Sequence, residues 1–101
     1  MVRFEFDWDP AKAQANRRKH GVTFEDAMGV FLDPLALTLF DDGHSEAEDR
    51  WITLGRSGPD LLLLVIHTHV EITNDKVAIR IISARKPTVR ERRQYEERAH
   101  P

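Results

Sequence analysis

Leu61–Arg85 reads LLLLVIHTHVEITNDKVAIRIISAR, and this stretch decides the fold class. Its two halves, Leu61 to Ile72 and Val77 to Arg85, are rich in Leu, Ile and Val. Asn74-Asp75 between them has hairpin-turn chemistry, so the stretch predicts two adjacent strands. Upstream, Arg50 to Arg56 predicts a further strand, and Leu35 to Phe40 alternates like another, with a turn at Asp42-Gly43. Strands joined by loops this short predict an antiparallel meander. Leu61 to Ile66 is the longest apolar run. It is far shorter than the roughly 18 residues of a membrane helix and reads as a buried strand.

The flanks read as helices. Phe4 to Asp7 alternates apolar and acidic residues, as a short strand does. Asp9-Pro10 then supplies an N-cap and a first-turn proline, and Gly21 supplies a stop after His20. The apolar content of this helix is mostly Ala11, Ala13 and Ala15, so it packs lightly. Thr23 and Asp26 open a second helix that places Phe24, Ala27, Met28 and Phe31 on one face, and Asp33-Pro34 ends it. Thr88 and Glu91 form a capping box for a last helix, in which little beyond Val89 and Tyr95 is apolar. Two N-terminal helices packed on a contiguous antiparallel sheet, with a C-terminal helix, make the class α+β.

A chain of 101 residues fits one domain, 1–101, and excludes a barrel enzyme or a two-domain cofactor enzyme. It has no cysteine, which excludes disulfides, thiolate zinc sites and a cysteine nucleophile and suits the cytoplasm. The acidic, aromatic N-terminus is unlike a secretory signal. Hydrophobic residues make up 41%, too many for a disordered chain. The net charge of −2 hides an asymmetry: Pro34 to Asp49 carries −5 and Lys76 to Pro101 carries +5. Phosphate responds to the local field, so the basic C-terminal quarter is compatible with nucleic acid despite the total. The plainer alternative is a solvated helix in which Arg90, Arg92, Arg93 and Arg98 pair with Glu91, Glu96 and Glu97.

Several residues are candidates for chemistry. His20 follows Arg17-Arg18-Lys19 at a helix end. Imidazole there can transfer a proton, or the cluster simply complements the helix dipole. Arg80 and Arg85 lie in an apolar strand, where an arginine is costly to bury without a partner; Arg80 either pairs with a neighbouring strand, for instance at Glu71, or clamps a phosphate. By strict alternation they point to opposite faces unless a bulge re-aims one. Glu48-Asp49-Arg50 offers a carboxylate as base or as a partner for an arginine. His67 and His69, two apart on a strand, share a face that either binds metal with Glu71 or is merely exposed. Tyr95 either stacks on a base or anchors its helix. There is no P-loop, dinucleotide fingerprint, H-E-x-x-H or G-x-S-x-G.

Three motifs taken together resemble one family. The first comprises Phe6, Asp7, Trp8, Asp9, Lys12, Asn16, Lys19, His20, Gly21 and Val22. The second is Glu48-Asp49-Arg50. The third is Ile79 to Arg85 followed by Arg90-Glu91-Arg92 and Tyr95. In this order they span nearly the whole chain and resemble the BrnT family of bacterial toxins. The resemblance implies a RelE-like α+β fold and a cytoplasmic endoribonuclease that cuts mRNA without a cofactor or metal, inhibiting translation and growth. It also implies a BrnA-type antitoxin with a DNA-binding segment, operator DNA bound through that antitoxin, and a hetero-oligomer with no membrane role.

RNA carries its own nucleophile, the 2′-hydroxyl, so such an enzyme must orient it, move protons and stabilise the phosphorane. On motif position and residue type, His20 or Glu48 transfers the proton and Arg50, Arg80 and Arg85 hold the phosphate. Lys19, Ser83, Tyr95 and Arg92 contact RNA. The rival reading is a non-catalytic module whose basic strand and helix receive an antitoxin or a ribosomal partner.

Overall fold

The computed structural model describes residues 2–44 and 48–99. In chain order it contains β1 (Arg3–Asp7), α1 (Pro10–His20), α2 (Phe24–Met28), a 3-10 turn (Gly29–Leu32) and β2 (Leu37–Phe40). A short 3-10 turn (Asp42–His44), β3 (Trp51–Arg56), β4 (Leu62–His67), β5 (Val70–Thr73), β6 (Lys76–Arg85) and α3 (Val89–Ala99) follow. No described helix is long and apolar enough to cross a membrane.

The local signals act as the sequence predicts. The Asp9 carboxylate accepts from the Ala11 amide at 2.9 Å to start α1. Gly21, at φ 69°, ends it by donating its N–H to the Arg17 carbonyl. That left-handed conformation suits glycine because it has no Cβ. The Thr23 hydroxyl caps α2. The predicted second helix stays α-helical only to Met28, then tightens into the 3-10 turn before Asp33.

The strands form one sheet in the order β1-β6-β4-β3-β2, and β5 continues the line of β4 beside β6. From β2 onward the pairing is antiparallel, as the meander requires. β1 departs from it by running parallel to β6, with Phe4 opposite Val77 and Phe6 opposite Ile79. The sheet is therefore mixed, because β1 joins after a long crossover rather than through a hairpin.

One irregularity determines which side chains share a face. In the β4–β6 ladder Ile66 pairs with Ser83 but His67 pairs with Ile81, so Ile82 is an extra residue on β6. This β-bulge shifts the alternation by one. Val77, Ile79 and Ile81, and beyond the bulge Ala84, all join the core under α1 and α2. Arg80 before the bulge and Arg85 after it consequently share the opposite face, against strict alternation.

Helix α1 is docked by a polar residue. Asn16 is its one buried side chain. Its Nδ2 donates to the carbonyls of Val22 and Ala84 at 3.0 and 2.8 Å, and its Oδ1 accepts from the Ala84 amide at 3.1 Å. β1 ends opposite Arg80, so the Asn16 amide takes the place of the next strand for Ala84. Asn16→Ala leaves these buried groups unsatisfied, and we predict a loss of about 2–4 kcal/mol in urea unfolding.

The His67-Thr68-His69 segment differs from both readings of the sequence. His67 is fully buried and His69 exposed, because the strand breaks after β4. The His67 Nδ1–H donates to the Thr68 carbonyl at 2.9 Å. Nε2 therefore accepts from the Thr53 hydroxyl at 2.7 Å, which in turn accepts from Thr38 at 3.0 Å. The Thr68 hydroxyl takes the ladder bond from the Arg80 amide at 3.2 Å. Both imidazoles border one small cavity with Phe31, Thr38 and Thr53, but the two His67 ring nitrogens are engaged, and no group of three potential metal ligands occurs among the described residues.

Burial lowers the His67 pKa from 6.5 to about 4, partly offset by the Thr68 carbonyl. The unfolded chain takes up this proton below about pH 6.5, whereas the folded chain resists until about 4. Stability falls across that window by about 3 kcal/mol from this group alone. Denaturation from pH 7 to 4, with ring chemical shifts tracking His67, measures both quantities; a ring titrating near 6.5 would contradict the burial effect.

Candidate functional site

The face of the sheet opposite α1 and α2 is only partly covered. Helix α3 lies over one part of it through Tyr95, which packs with Leu54, Leu62 and Leu64. Tyr95 is 1% exposed, so its ring anchors α3 and is not available to stack on a base. Its hydroxyl donates to the Asp33 carboxylate at 2.7 Å, and the Arg56 guanidinium sits 5.5 Å over the ring. Asp33 also accepts from the amides of Leu35 and Arg56 at 2.9 and 2.8 Å. Burial alone would raise the Asp33 pKa, but these donors and the charge on Arg56 hold it below the usual value. Gly55 lies beneath this corner, where a Cβ would come within 3.1 Å of both Ala36 and the Val30 carbonyl.

Next to α3 the uncovered part of this face forms a cleft of about 350 Å³. Ile52, Leu64, Ile66 and Ile82 make its apolar floor, and Asp41, Arg50, Ser83, Arg85 and Glu91 its polar wall. The bulge places Ser83 and Arg85 here, opposite Ile66 and Leu64 on β4. Arg50 enters from the residue before β3. The Arg85 guanidinium holds Glu91 end-on, with Nη1 and Nη2 donating to the two carboxylate oxygens at 2.8 and 3.0 Å. Those bonds bring the Glu91 pKa down to about 2 against the opposing effect of burial, so Glu91 is ionised near neutrality.

The cleft unites three of the residues singled out from sequence: Arg50, Ser83 and Arg85. His20 and Lys19 occupy the last turn of α1, on the covered side of the sheet, and do not line it. Glu48 is exposed two residues before Arg50 and is outside the lining. Arg80 and Arg92 are exposed, Arg80 on the cleft face but further along β6. Sequence reading assigned Glu91 only to the helix cap and to α3 arginines. Its capping-box bonds with Thr88 are present, but its charged partner is Arg85. Asp41 also lines the cleft, and nothing in the sequence sets it apart from the other acidic residues of Pro34 to Asp49.

These features define a small α+β protein with α1 and α2 on one face of a mostly antiparallel sheet and, on the other, α3 beside a two-arginine cleft. The chain belongs to the BrnT family: the model described as ribonuclease toxin, BrnT, of type II toxin-antitoxin system matches residues 8–91. The chain is also similar to the Brucella abortus ribonuclease toxin BrnT, known from a 1.1 Å crystal structure. That similarity has a TM-score of 0.62 and 28% identity over 85% of this chain and 99% of that one. No curated protein matches the chain. Membership of a type II toxin-antitoxin family implies a cognate antitoxin.

Among the described residues of α3, Tyr95 is the one that is buried against the sheet. Tyr95→Phe, which removes one hydrogen bond to a carboxylate, should cost about 1.5–3 kcal/mol. Thermal unfolding measures this, and an unchanged midpoint would show that the Asp33 bond contributes nothing.

Proposed function

We propose that this chain cleaves RNA in the cleft between β3, β6 and α3, using the 2′-hydroxyl of the substrate as nucleophile and no metal. The observation that carries the reading is the convergence of Arg50, Arg85 and Ser83 over an apolar floor. Two guanidiniums can hold the scissile phosphate and stabilise the charge that develops on it. Ser83 adds a hydroxyl able to bond a phosphate oxygen. Arg80 and Arg92, exposed beyond the cleft, extend the basic surface toward neighbouring phosphates.

The proton acceptor in this scheme is a carboxylate. Asp41 lines the cleft and Glu48 stands two residues from Arg50, whereas His20 is on the other side of the sheet. Glu91 is unsuited to the task because both its oxygens are engaged by Arg85. The substrate is mRNA, so cleavage inhibits translation and growth. The antitoxin is of the BrnA type, closes the site in a hetero-oligomer and brings the pair to operator DNA through its own DNA-binding segment.

The purified protein should cut RNA in excess EDTA and leave 2′,3′-cyclic phosphate and 5′-hydroxyl ends. Arg50→Ala and Arg85→Ala should each slow cleavage by about a hundredfold or more. His20→Gln should remain within about threefold, as befits a residue that transfers no proton here. Cleavage that stops in EDTA, or 3′-hydroxyl ends, would overturn the mechanism. Parallel reactions with ribosomes separate an enzyme that needs the ribosome from a module that only binds it.

A further inference from the structure

Arg85 distributes its donors unevenly. A guanidinium carries five N–H groups in one plane. Nη1 and Nη2 each give one to Glu91, and Nη1 gives its second to the Lys86 carbonyl at 3.2 Å. Two remain, the Nε–H and the other Nη2–H, side by side on the adjacent edge. Among the described residues they meet no acceptor. The Arg85 side chain is 37% exposed and lines the cleft, so this edge is accessible to a ligand.

Glu91 is itself held from behind. Its Oε1 accepts from the Thr88 amide at 2.8 Å, and its own amide donates to the Thr88 hydroxyl at 3.1 Å. The first turn of α3, the Glu91 carboxylate and the Arg85 plane therefore form one connected unit. A lone arginine at this position would rotate about its side-chain torsions, and each productive contact would have to order it.

We propose that Glu91 is a positioning residue: by clamping Arg85 end-on it presents the side-on Nε/Nη2 fork to a phosphodiester of RNA in the cleft. The fork matches two phosphate oxygens, so the nucleic acid need not displace the carboxylate. The inference rests on the ribonuclease reading for the identity of the ligand and deepens it by naming the donor edge.

A fully 2′-O-methylated RNA oligonucleotide of mixed sequence tests this, since it lacks the nucleophile and stays intact. It is titrated into the parent, Glu91→Gln and Thr88→Ala while the arginine Nε–H signals are followed by 15N NMR. In the parent, the Arg85 Nε–H signal should be sharp and should move on binding. Glu91→Gln keeps an acceptor for the Thr88 amide but loses half of the clamp. Its affinity should fall about five- to tenfold and its Arg85 signal should broaden. Thr88→Ala weakens the helix cap and leaves the clamp, so its affinity should stay within about twofold.

Three results would overturn the proposal. One is Glu91→Gln binding as tightly as the parent or tighter, which makes Glu91 a competitor of phosphate. Another is Thr88→Ala losing as much as Glu91→Gln, which makes Glu91 only a cap. The third is an Arg85 Nε–H signal in the parent that RNA does not move. A parent that shifts this signal but leaves unmodified RNA uncut upholds the fork and overturns the ribonuclease reading. A parent that cuts RNA with the signal unmoved does the reverse.

Discussion

Between Ile81 and Ser83, β6 carries one residue more than β4 has opposite it. A strand's alternation otherwise commits every side chain once one of them is placed, so a single inserted residue reassigns all that follow. Without Ile82 as a bulge, the face that buries Ile81 would also receive Ser83 and Arg85. A guanidinium would then press into the apolar core under α1 and α2, where no counter-charge is packed. With it, Ala84 fills the core position and Arg85 emerges beside Arg50 and Glu91. The cleft, the orientation of α3 through Glu91 and the docking of α1 on Ala84 all follow from that shift.

Three polar side chains complete backbone hydrogen bonding where the regular elements stop. Asn16 serves Ala84 past the end of β1. Thr68 serves Arg80 where the line of β4 breaks. Asp33 gathers the amides of Leu35 and Arg56 with the Tyr95 hydroxyl at the corner where the helical layer turns into β2. Each supplies a partner that the neighbouring element does not, and for Asn16 the groups served are buried, where an unpaired peptide is costly. Together they allow a small chain to join two cores on opposite faces of one sheet.

Much of this was readable from residue types. The caps at Asp9, Gly21, Thr23 and Thr88 depend on contacts within four residues, and the meander depends on short loops, so both are written locally. The parallel placement of β1 is not, since Phe4 meets Val77 across most of the chain. The bulge was equally hidden: the run Ile81-Ile82-Ser83 shows no glycine or proline to mark it. Arg50, Ser83 and Arg85 were identifiable as polar residues in or beside apolar strands. His67 misled because its burial comes from Phe31 packing on its ring, a tertiary contact that the strand pattern does not show. Glu91 was recognised for its cap but not for Arg85, because one carboxylate serves both and only three-dimensional proximity reveals the second role.

The parallel pairing of β1 with β6 also orders events in time. Among the described residues β1 pairs only with Lys76–Arg80 of β6, far along the sequence from it. Closing so long a loop has a substantial entropic cost, and this sheet cannot be completed until β6 has been made. The arginine and carboxylate of the cleft wall, Arg85 and Glu91, come later still. Until β6 has been made the chain has no closed sheet, and until Glu91 has been made it has no finished cleft wall.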